Sequence, residues 1–134
     1  MDDKLIFWIG SSRNDLRGFP EDVKDVMGFA LRQAQWGGKH PDAKPLKGKA
    51  FTGSSVLEIV DDFDGDTYRA IYTVKFEDAV YVLHAFQKKS KKGKKTDKQD
   101  IDLVKSRLKD AESHYEGRLK EAKRKYAARK RRGR

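Results

Sequence analysis

Residues 80–95 read VYVLHAFQKKSKKGKK, an apolar segment followed directly by a lysine-rich one. The apolar part, residues 80–86, has the length and composition of a buried β-strand. The second part carries six lysines in eight residues, at positions 88, 89, 91, 92, 94 and 95. A strand that ends in such a segment presents dense positive charge at its C-terminal end, which predicts an anionic partner.

Charge is distributed unevenly along the 134 residues, whose formal net charge is +10. Residues 1–86 carry 11 Lys and Arg against 14 Asp and Glu, a net charge of −3. Residues 87–134 carry 20 basic and 7 acidic residues, a net charge of +13. The last third therefore favours nucleic acid as the partner, because clustered cations release counterions from phosphates. An acidic protein or an anionic membrane surface would satisfy the same charge.

Composition excludes several classes of site and of protein. The chain has no cysteine, which excludes disulfides, thiol nucleophiles and cysteine-based metal sites. No apolar run has the length of a membrane span, and the N-terminal MDDKLIFWIG does not have the pattern of a signal peptide. The three histidines show no metal-ligand spacing with acidic residues. We therefore expect a soluble, cytoplasmic protein without metal or cofactor.

Hydrophobic periodicity predicts seven elements in the order β-α-α-β-β-β-α. Strands are predicted at residues 5–9, 56–60, 67–75 and 79–87. A short helical turn should end at Leu16, a second helix should run from Pro20 to Gly37, and residues 38–49 should form a loop. The last three strands are joined by short turns, so the sequence predicts an α+β fold with an antiparallel sheet of about four strands packed by the N-terminal helices.

A long C-terminal helix is predicted from Asp97 to about Arg129. The residues at 96–99, TDKQ, match a capping box with Thr96 as the cap. An apolar stripe follows at spacings of 3 and 4, namely Ile101, Val104, Leu108, Ala111, Tyr115, Leu119, Ala122 and Tyr126. Such a helix is roughly 50 Å long, whereas a domain of this size is about 35 Å across. We therefore divide the chain into a domain at 1–110 and a basic helical extension and tail at 111–134.

Three local patterns, in this order, give the chain a family resemblance. Residues 56–59, VLEI, are similar to an "LWEL" strand, and residues 68–72, YRAIY, are similar to a tyrosine-arginine strand that ends in tyrosine. Residues 83–90, LHAFQKKS, lead into KKT at 94–96 and are similar to the ending "LHGFxKKTxKTP". Together these patterns resemble the RelE/HigB-like toxin superfamily, in particular its phage-derived HigB-like branch. Asp97 replaces a usual proline, and the helix beyond residue 110 is longer and more basic than in that family.

The resemblance implies a RelE-like fold and a toxin of a type II toxin–antitoxin pair. Many such toxins cleave mRNA in the ribosomal A site without a metal, by attack of a ribose 2′-OH on the adjacent phosphate. The implied partners are mRNA on the ribosome and an antitoxin, expected to be a helix-turn-helix DNA-binding protein. This reaction requires a base, an acid and cations for the charge that develops on the phosphate.

The catalytic candidates are Arg69, Lys88, Lys89 and His84. A guanidinium in an apolar strand suits a phosphate contact, while a salt bridge from Arg69 to Glu58 or Asp61 is the structural alternative. Lys88 and Lys89 follow directly on the strand, and neighbouring lysines lower the pKa of each other towards useful acid–base chemistry. His84 could act as the base, although a packed strand histidine is the ordinary interpretation.

The candidates for substrate binding are Lys47, Lys49, Lys91, Lys92, Tyr72 and Phe86. The lysines could contact phosphates or be solvated residues of charged loops. The two aromatic residues could stack on bases, and core packing is the alternative for each. A regular strand would place Tyr72 on the face opposite Arg69. A second function also fits the sequence, namely a phage-encoded RNA- or DNA-binding module without enzymatic activity, whose main contact is the long helix.

Overall fold

The computed structural model describes residues 2–88 and 96–133. These residues form five strands, three α-helices and one 3₁₀ turn at Lys49–Phe51. The strands are β1 (Leu5–Trp8), β2 (Lys44–Pro45), β3 (Val56–Phe63), β4 (Asp66–Thr73) and β5 (Ala79–Lys88). The helices are α1 (Ser12–Arg17), α2 (Glu21–Gln35) and α3 (Lys98–Arg132). The α+β class and the predicted order of the main elements are confirmed.

The sheet is mixed and has the strand order β1-β5-β4-β3-β2. The meander β3-β4-β5 is antiparallel as predicted, but β1 pairs in parallel with β5. The prediction of a purely antiparallel sheet of about four strands was therefore wrong. Two helices carry the chain from β1 back across the sheet, which permits the parallel pair. The fifth strand, β2, has two residues within the predicted loop and is too short to leave a periodic pattern.

Both faces of the sheet are covered, so the central strands are apolar on each side. Helices α1 and α2 pack on one face through Leu16, Val23, Met27 and Leu31, among others. The first half of α3 packs on the other face through Val104, Leu108 and Ala111. We refer to these as the α2 face and the α3 face. From Ala79 to Leu83, alternate residues of β5 contribute to one face and then the other, as expected for a strand between two layers.

Short-range turn chemistry follows the sequence closely at two places. Gly37, at φ +85°, and Gly38 close the end of α2 with hydrogen bonds to Ala34 and Gln33, a Schellman arrangement. Asp64 and Gly65 both have positive φ in the two-residue turn between β3 and β4, which suits the right-handed twist of a hairpin.

The start of α3 differs from the predicted capping box. Asp97 is the N-cap residue, and no side chain makes the capping hydrogen bond. The hydroxyl group of Thr96 instead donates a hydrogen bond to the Glu58 carboxylate at 2.6 Å. A tertiary contact has therefore replaced the local one.

Helix α3 has 35 residues and is about 52 Å long. Its contacts with the body extend to Arg118, which lies 3.6 Å from Asp78 and stacks over the Phe7 ring at 4.7 Å. The side chains after Arg118 are mostly exposed. In the described ranges, 2–88 and 96–133, no helix combines the length and apolarity required to span a bilayer.

Candidate functional site

A β-bulge in β5 determines which residues meet the start of α3. Ile71 pairs with His84 and Tyr72 pairs with Val82, so Leu83 has no partner residue on β4. The extra residue reverses the alternation of side chains along the strand. Val82 packs on the α2 face and Leu83 on the α3 face, and His84 then also points to α3. The bulge thereby places His84, Phe86 and Lys88 on the α3 face.

His84 forms a pair with Asp100 in the first turn of α3. Its Nε2 atom lies 2.8 Å from Oδ1 of Asp100, and its ring stacks on Phe86 with centroids 4.4 Å apart. An ionised carboxylate only accepts hydrogen bonds, so Nε2 carries the proton that faces it. The lone pair of neutral His84 is then on Nδ1, a buried atom that meets no hydrogen-bond partner among the described residues.

Arg69 joins β4 to β3 and to Thr96, two residues before α3. Its Nη1 atom donates to Oε2 of Glu58 at 3.0 Å and to the Thr96 hydroxyl at 3.3 Å. The salt bridge to Glu58, which the sequence offered as the structural alternative for Arg69, is present in the fold. Arg69 is 3% exposed, so this ion pair is buried. Removing one partner of such a buried pair leaves an uncompensated charge.

Lys88 completes the group at the end of β5. Its Nζ atom lies 3.6 Å from Oδ1 of Asp97, and the residue is 9% exposed. We call the set the β5–α3 cluster; its members are Glu58, Arg69, His84, Phe86, Lys88, Thr96, Asp97 and Asp100. Besides His84, its basic members are Arg69 and Lys88, and its acidic members are Glu58, Asp97 and Asp100. In the sequence, Lys88 begins the lysine-rich segment and Thr96 follows it directly.

A cleft of about 370 Å³ opens beside the cluster. Strand β1 pairs only with Ala79–Val82 of β5, so the second half of β5 has an edge that β1 does not cover. His84 and Phe86 line the cleft together with Asp15, Gly18, Phe19, Tyr68, Ala85 and Gln87. The ring of Phe19 packs edge-to-face on Tyr68, which closes one side. The cleft gives a ligand access to the end of β5 that carries His84.

Arg107 on α3 stabilises the bulge from the other side. Its Nη1 donates to the carbonyl oxygen of Leu83 at 3.0 Å, and its Nη2 donates to the Ser11 hydroxyl at 3.2 Å. Gly10, with φ +57°, passes so close that a Cβ atom there would lie 2.8 Å from the guanidinium. Arg107 therefore links α3, the bulge and the turn between β1 and α1.

The other candidate residues lie apart from the cluster or in the hydrophobic core of the protein. Lys47 and Lys49 are exposed beyond β2, where Leu46 hydrogen-bonds Val56, whereas Arg69 lies opposite Val60. Val56 and Val60 are four residue steps apart on β3, so the region after β2 lies about 13 Å from Arg69 along the strand. The structure therefore does not bring these lysines into the cluster. Lys89, Lys91 and Lys92 lie outside the described residues.

Tyr72 requires a correction. It is fully buried on the α2 face, opposite Arg69 as the strand geometry predicted, and presents no surface for stacking on a base. Burial raises the pKa of its hydroxyl group to about 12. Phe86 is half-buried, stacks on His84 and packs against the α3-face core, so part of its ring area is already used.

The sequence did not identify three members of the cluster. These are Asp97, Asp100 and Thr96, which contact Lys88, His84 and Arg69 respectively. The sequence offered one signal: Asp100 and Asp97 lie one helical turn apart, where acidic residues are favoured in any helix. That ordinary explanation concealed their contacts with β5. Within the described parts of the chain, no group of three or more His, Asp or Glu side chains is placed to hold a metal ion.

Comparison with known families assigns the domain. Residues 14–109 match the family described as Phage derived protein Gp49-like (DUF891). The chain belongs to this Gp49-like family. The match includes all of the β5–α3 cluster and ends at residue 109, within α3, so the second half of that helix lies beyond it. No curated protein and no solved structure gives a significant match.

Proposed function

We propose that this Gp49-like protein is a toxin of the RelE/HigB type that cleaves translated mRNA on the ribosome. The supporting observation is the β5–α3 cluster, in which an imidazole–carboxylate pair lies beside an arginine and a lysine at the end of a lysine-rich segment. Without a metal, attack of a ribose 2′-oxygen on the adjacent phosphorus requires a base, an acid and cations, and these groups can supply them. The phage-derived family is consistent with a toxin.

The proposed chemistry assigns one task to each group. Nδ1 of His84 takes the proton from the 2′-OH, whose oxygen then attacks the adjacent phosphorus. The bond from phosphorus to the 5′-oxygen breaks, and the ammonium group of Lys88 gives its proton to that leaving oxygen. Asp100 fixes the ring and stabilises the imidazolium that forms, as a carboxylate does beside a catalytic histidine. The products are a 2′,3′-cyclic phosphate and a 5′-hydroxyl end.

Arg69 is assigned to the charge on the phosphate, since its planar donors fit phosphate oxygens. Its pair with Glu58 and its contact with Thr96 restrain it in the free protein. Arg69, His84 and Lys88 are all less than one tenth exposed. The proposal therefore requires that substrate binding shifts Thr96 and Asp97 away from the end of β5, so that the cations exchange carboxylates for phosphate.

The proposed regulation is an antitoxin that binds the toxin and keeps it inactive. We expect a helix-turn-helix protein encoded beside the toxin, as the resemblance to the RelE/HigB-like superfamily implies. Co-expression of that neighbour should restore the growth of a host that expresses the toxin.

The test is induced expression in a bacterial host, with transcript 5′ ends mapped before and after induction. The wild type should arrest growth and create new 5′-hydroxyl ends in codon register within translated regions. His84→Gln should give neither effect at the same level of soluble protein. Growth arrest with intact transcripts would instead support a binding module without enzymatic activity.

A further inference from the structure

The second half of α3 is an exposed, strongly basic helix beyond the folded body. We call residues 119–132 the C-terminal arm; at 1.5 Å per residue it is about 21 Å long. It begins directly after Arg118, which pairs with Asp78 and stacks over the Phe7 ring. Among the described residues, the hydrogen bonds and ion pairs of its side chains stay within the arm, as between Arg124 and Glu121.

The arm carries eight basic residues and one acidic residue in 14 positions. Residues 129–132 are four consecutive cations, so their side chains point to all sides of the helix within one turn. Residues 123–125 are three more consecutive cations, which cover more than half of the helix circumference. The arm contains no Ser, Thr, Asn or Gln. It therefore offers positive charge on every side for contacts with phosphates.

We propose that the C-terminal arm binds the phosphate backbone of base-paired RNA. A lone cationic helix suits this partner because phosphates on both sides of a groove can contact it at once, and counterion release drives binding without sequence readout. The choice of RNA over DNA rests on the proposed function. The contact itself goes beyond that function, because the arm starts about 33 Å along the helix from Asp97 and takes no part in the β5–α3 cluster.

Two other partners fit the arm less well. A protein groove takes a helix through a row of large apolar anchors, and the arm has only Leu119 and Tyr126, which are 43% and 67% exposed. Such a groove would also have to bury part of the ring of cations at 129–132, at high cost. A membrane surface requires a broad apolar face, which two large apolar residues do not supply.

The test compares the full-length protein with two variants that lose the same charge. The arm variant carries glutamine at Lys123, Lys125, Lys130 and Arg131. The body variant carries glutamine at four exposed cations of the folded body, Arg13, Arg17, Lys39 and Lys44. Glutamine keeps helix propensity, and helicity measured by circular dichroism should be equal in all three proteins.

The measurement is fluorescence anisotropy of a labelled 20-base-pair RNA duplex of arbitrary sequence over a range of salt concentrations. The arm variant should bind about tenfold or more weakly at 0.1 M salt, and its slope of log affinity against log salt should fall by about 3. The body variant should change affinity less than about threefold. Equal losses in both variants would show that net charge alone attracts RNA, and would overturn the proposal.

Two further results would also overturn it. A DNA duplex of the same sequence that binds as tightly as the RNA would remove the commitment to RNA. Unchanged duplex affinity in the arm variant, together with lost binding to anionic lipid vesicles or to the antitoxin, would assign the arm to one of those partners. The outcome is independent of the cleavage test, since arm-dependent duplex binding without cleavage would contradict only the proposed enzymatic function.

Discussion

The hydroxyl group of Thr96, two residues before α3, lies 2.6 Å from Oε2 of Glu58 on β3 and donates a hydrogen bond to it. The same carboxylate oxygen accepts from Arg69. One oxygen atom therefore connects the start of the helix to two strands of the sheet. The contact also uses the side chain that would otherwise have capped the helix.

Thr96→Val tests the strength of that connection. The substitution keeps the shape of the side chain and removes the hydroxyl, so the free energy of unfolding should fall by about 1 kcal/mol. Urea denaturation measures the change. Thr67→Val is the matched control, because Thr67 makes an exposed hydrogen bond of 2.7 Å with Asp62. An equal loss in both variants would contradict a special role for Thr96.

Glu58 and Arg69 should be strongly coupled in stability. Glu58→Gln leaves the buried guanidinium without its carboxylate, and we expect a loss of about 3 kcal/mol. Arg69→Met should also destabilise, but the double variant should lose clearly less than the sum, because the two side chains interact directly. A double-mutant cycle by urea denaturation gives the coupling energy. Additive losses would show that the two side chains do not stabilise each other.

Asp100 should be required for cleavage if His84 is the base. Asp100→Asn keeps an oxygen near Nε2 and removes the charge, so cleavage should fall at least about tenfold; His84→Gln should cost about 10²–10⁴-fold. The readout is the yield of new transcript 5′ ends. Asp102→Asn is the control, since Asp102 is exposed and its ion pair among the described residues is with Lys105, at 3.9 Å. Full cleavage by Asp100→Asn would remove Asp100 from the mechanism.

Arg107 should act as a positioning residue for the bulge. Arg107→Met removes the hydrogen bonds to Leu83 and Ser11 and should destabilise the fold by about 2 kcal/mol. Amide hydrogen exchange of residues 84–88 should become faster, because the bulge carbonyl loses its partner. Lys109→Met, an exposed change on the same helix, should alter neither. Unchanged exchange in Arg107→Met would show that β4 alone holds the bulge.

Tyr72 should lower stability at alkaline pH. Burial raises its pKa to about 12 in the folded protein, against about 10 in the unfolded chain. The free energy of unfolding is therefore unaffected by Tyr72 ionisation below pH 10, and it falls as the pH rises from 10 towards 12. Burial also raises the pKa of Tyr81 and Tyr115, so part of the loss has other sources.

Tyr72→Phe separates the effect of Tyr72 on alkaline stability from the effects of Tyr81 and Tyr115. The hydroxyl of Tyr72 is buried without a hydrogen-bond partner in the described part of the chain, so its removal should leave stability at pH 7 unchanged or slightly higher. The decline between pH 10 and pH 12 should become smaller than in the wild type. Cleavage should be unchanged, whereas a loss of cleavage would restore Tyr72 to the site. Tyr126→Phe, at an exposed position, is the control.

The fold could be predicted where local periodicity and burial agree. The apolar run of β5, the helix α2 and the short turn between β3 and β4 each depend on neighbours within a few residues, and each was confirmed. The parallel pairing of β1 with β5 and the two-residue β2 could not be predicted, because each depends on a partner far away in the chain. The capping box failed for the same reason, since Glu58 competes for Thr96.

The sequence by itself determined the layers of this protein, its excess of positive charge and the arginine, histidine and lysine at the end of the meander. Periodicity and composition carry those features, so a single chain suffices to recognise them. Only the tertiary structure decided which side chains meet. An extra residue in β5 reverses its alternation and turns His84 towards Asp100, while the register of β3 on β4 gives Arg69 its partner Glu58. A one-residue change in register moves every later side chain to the other face, and no local pattern records it.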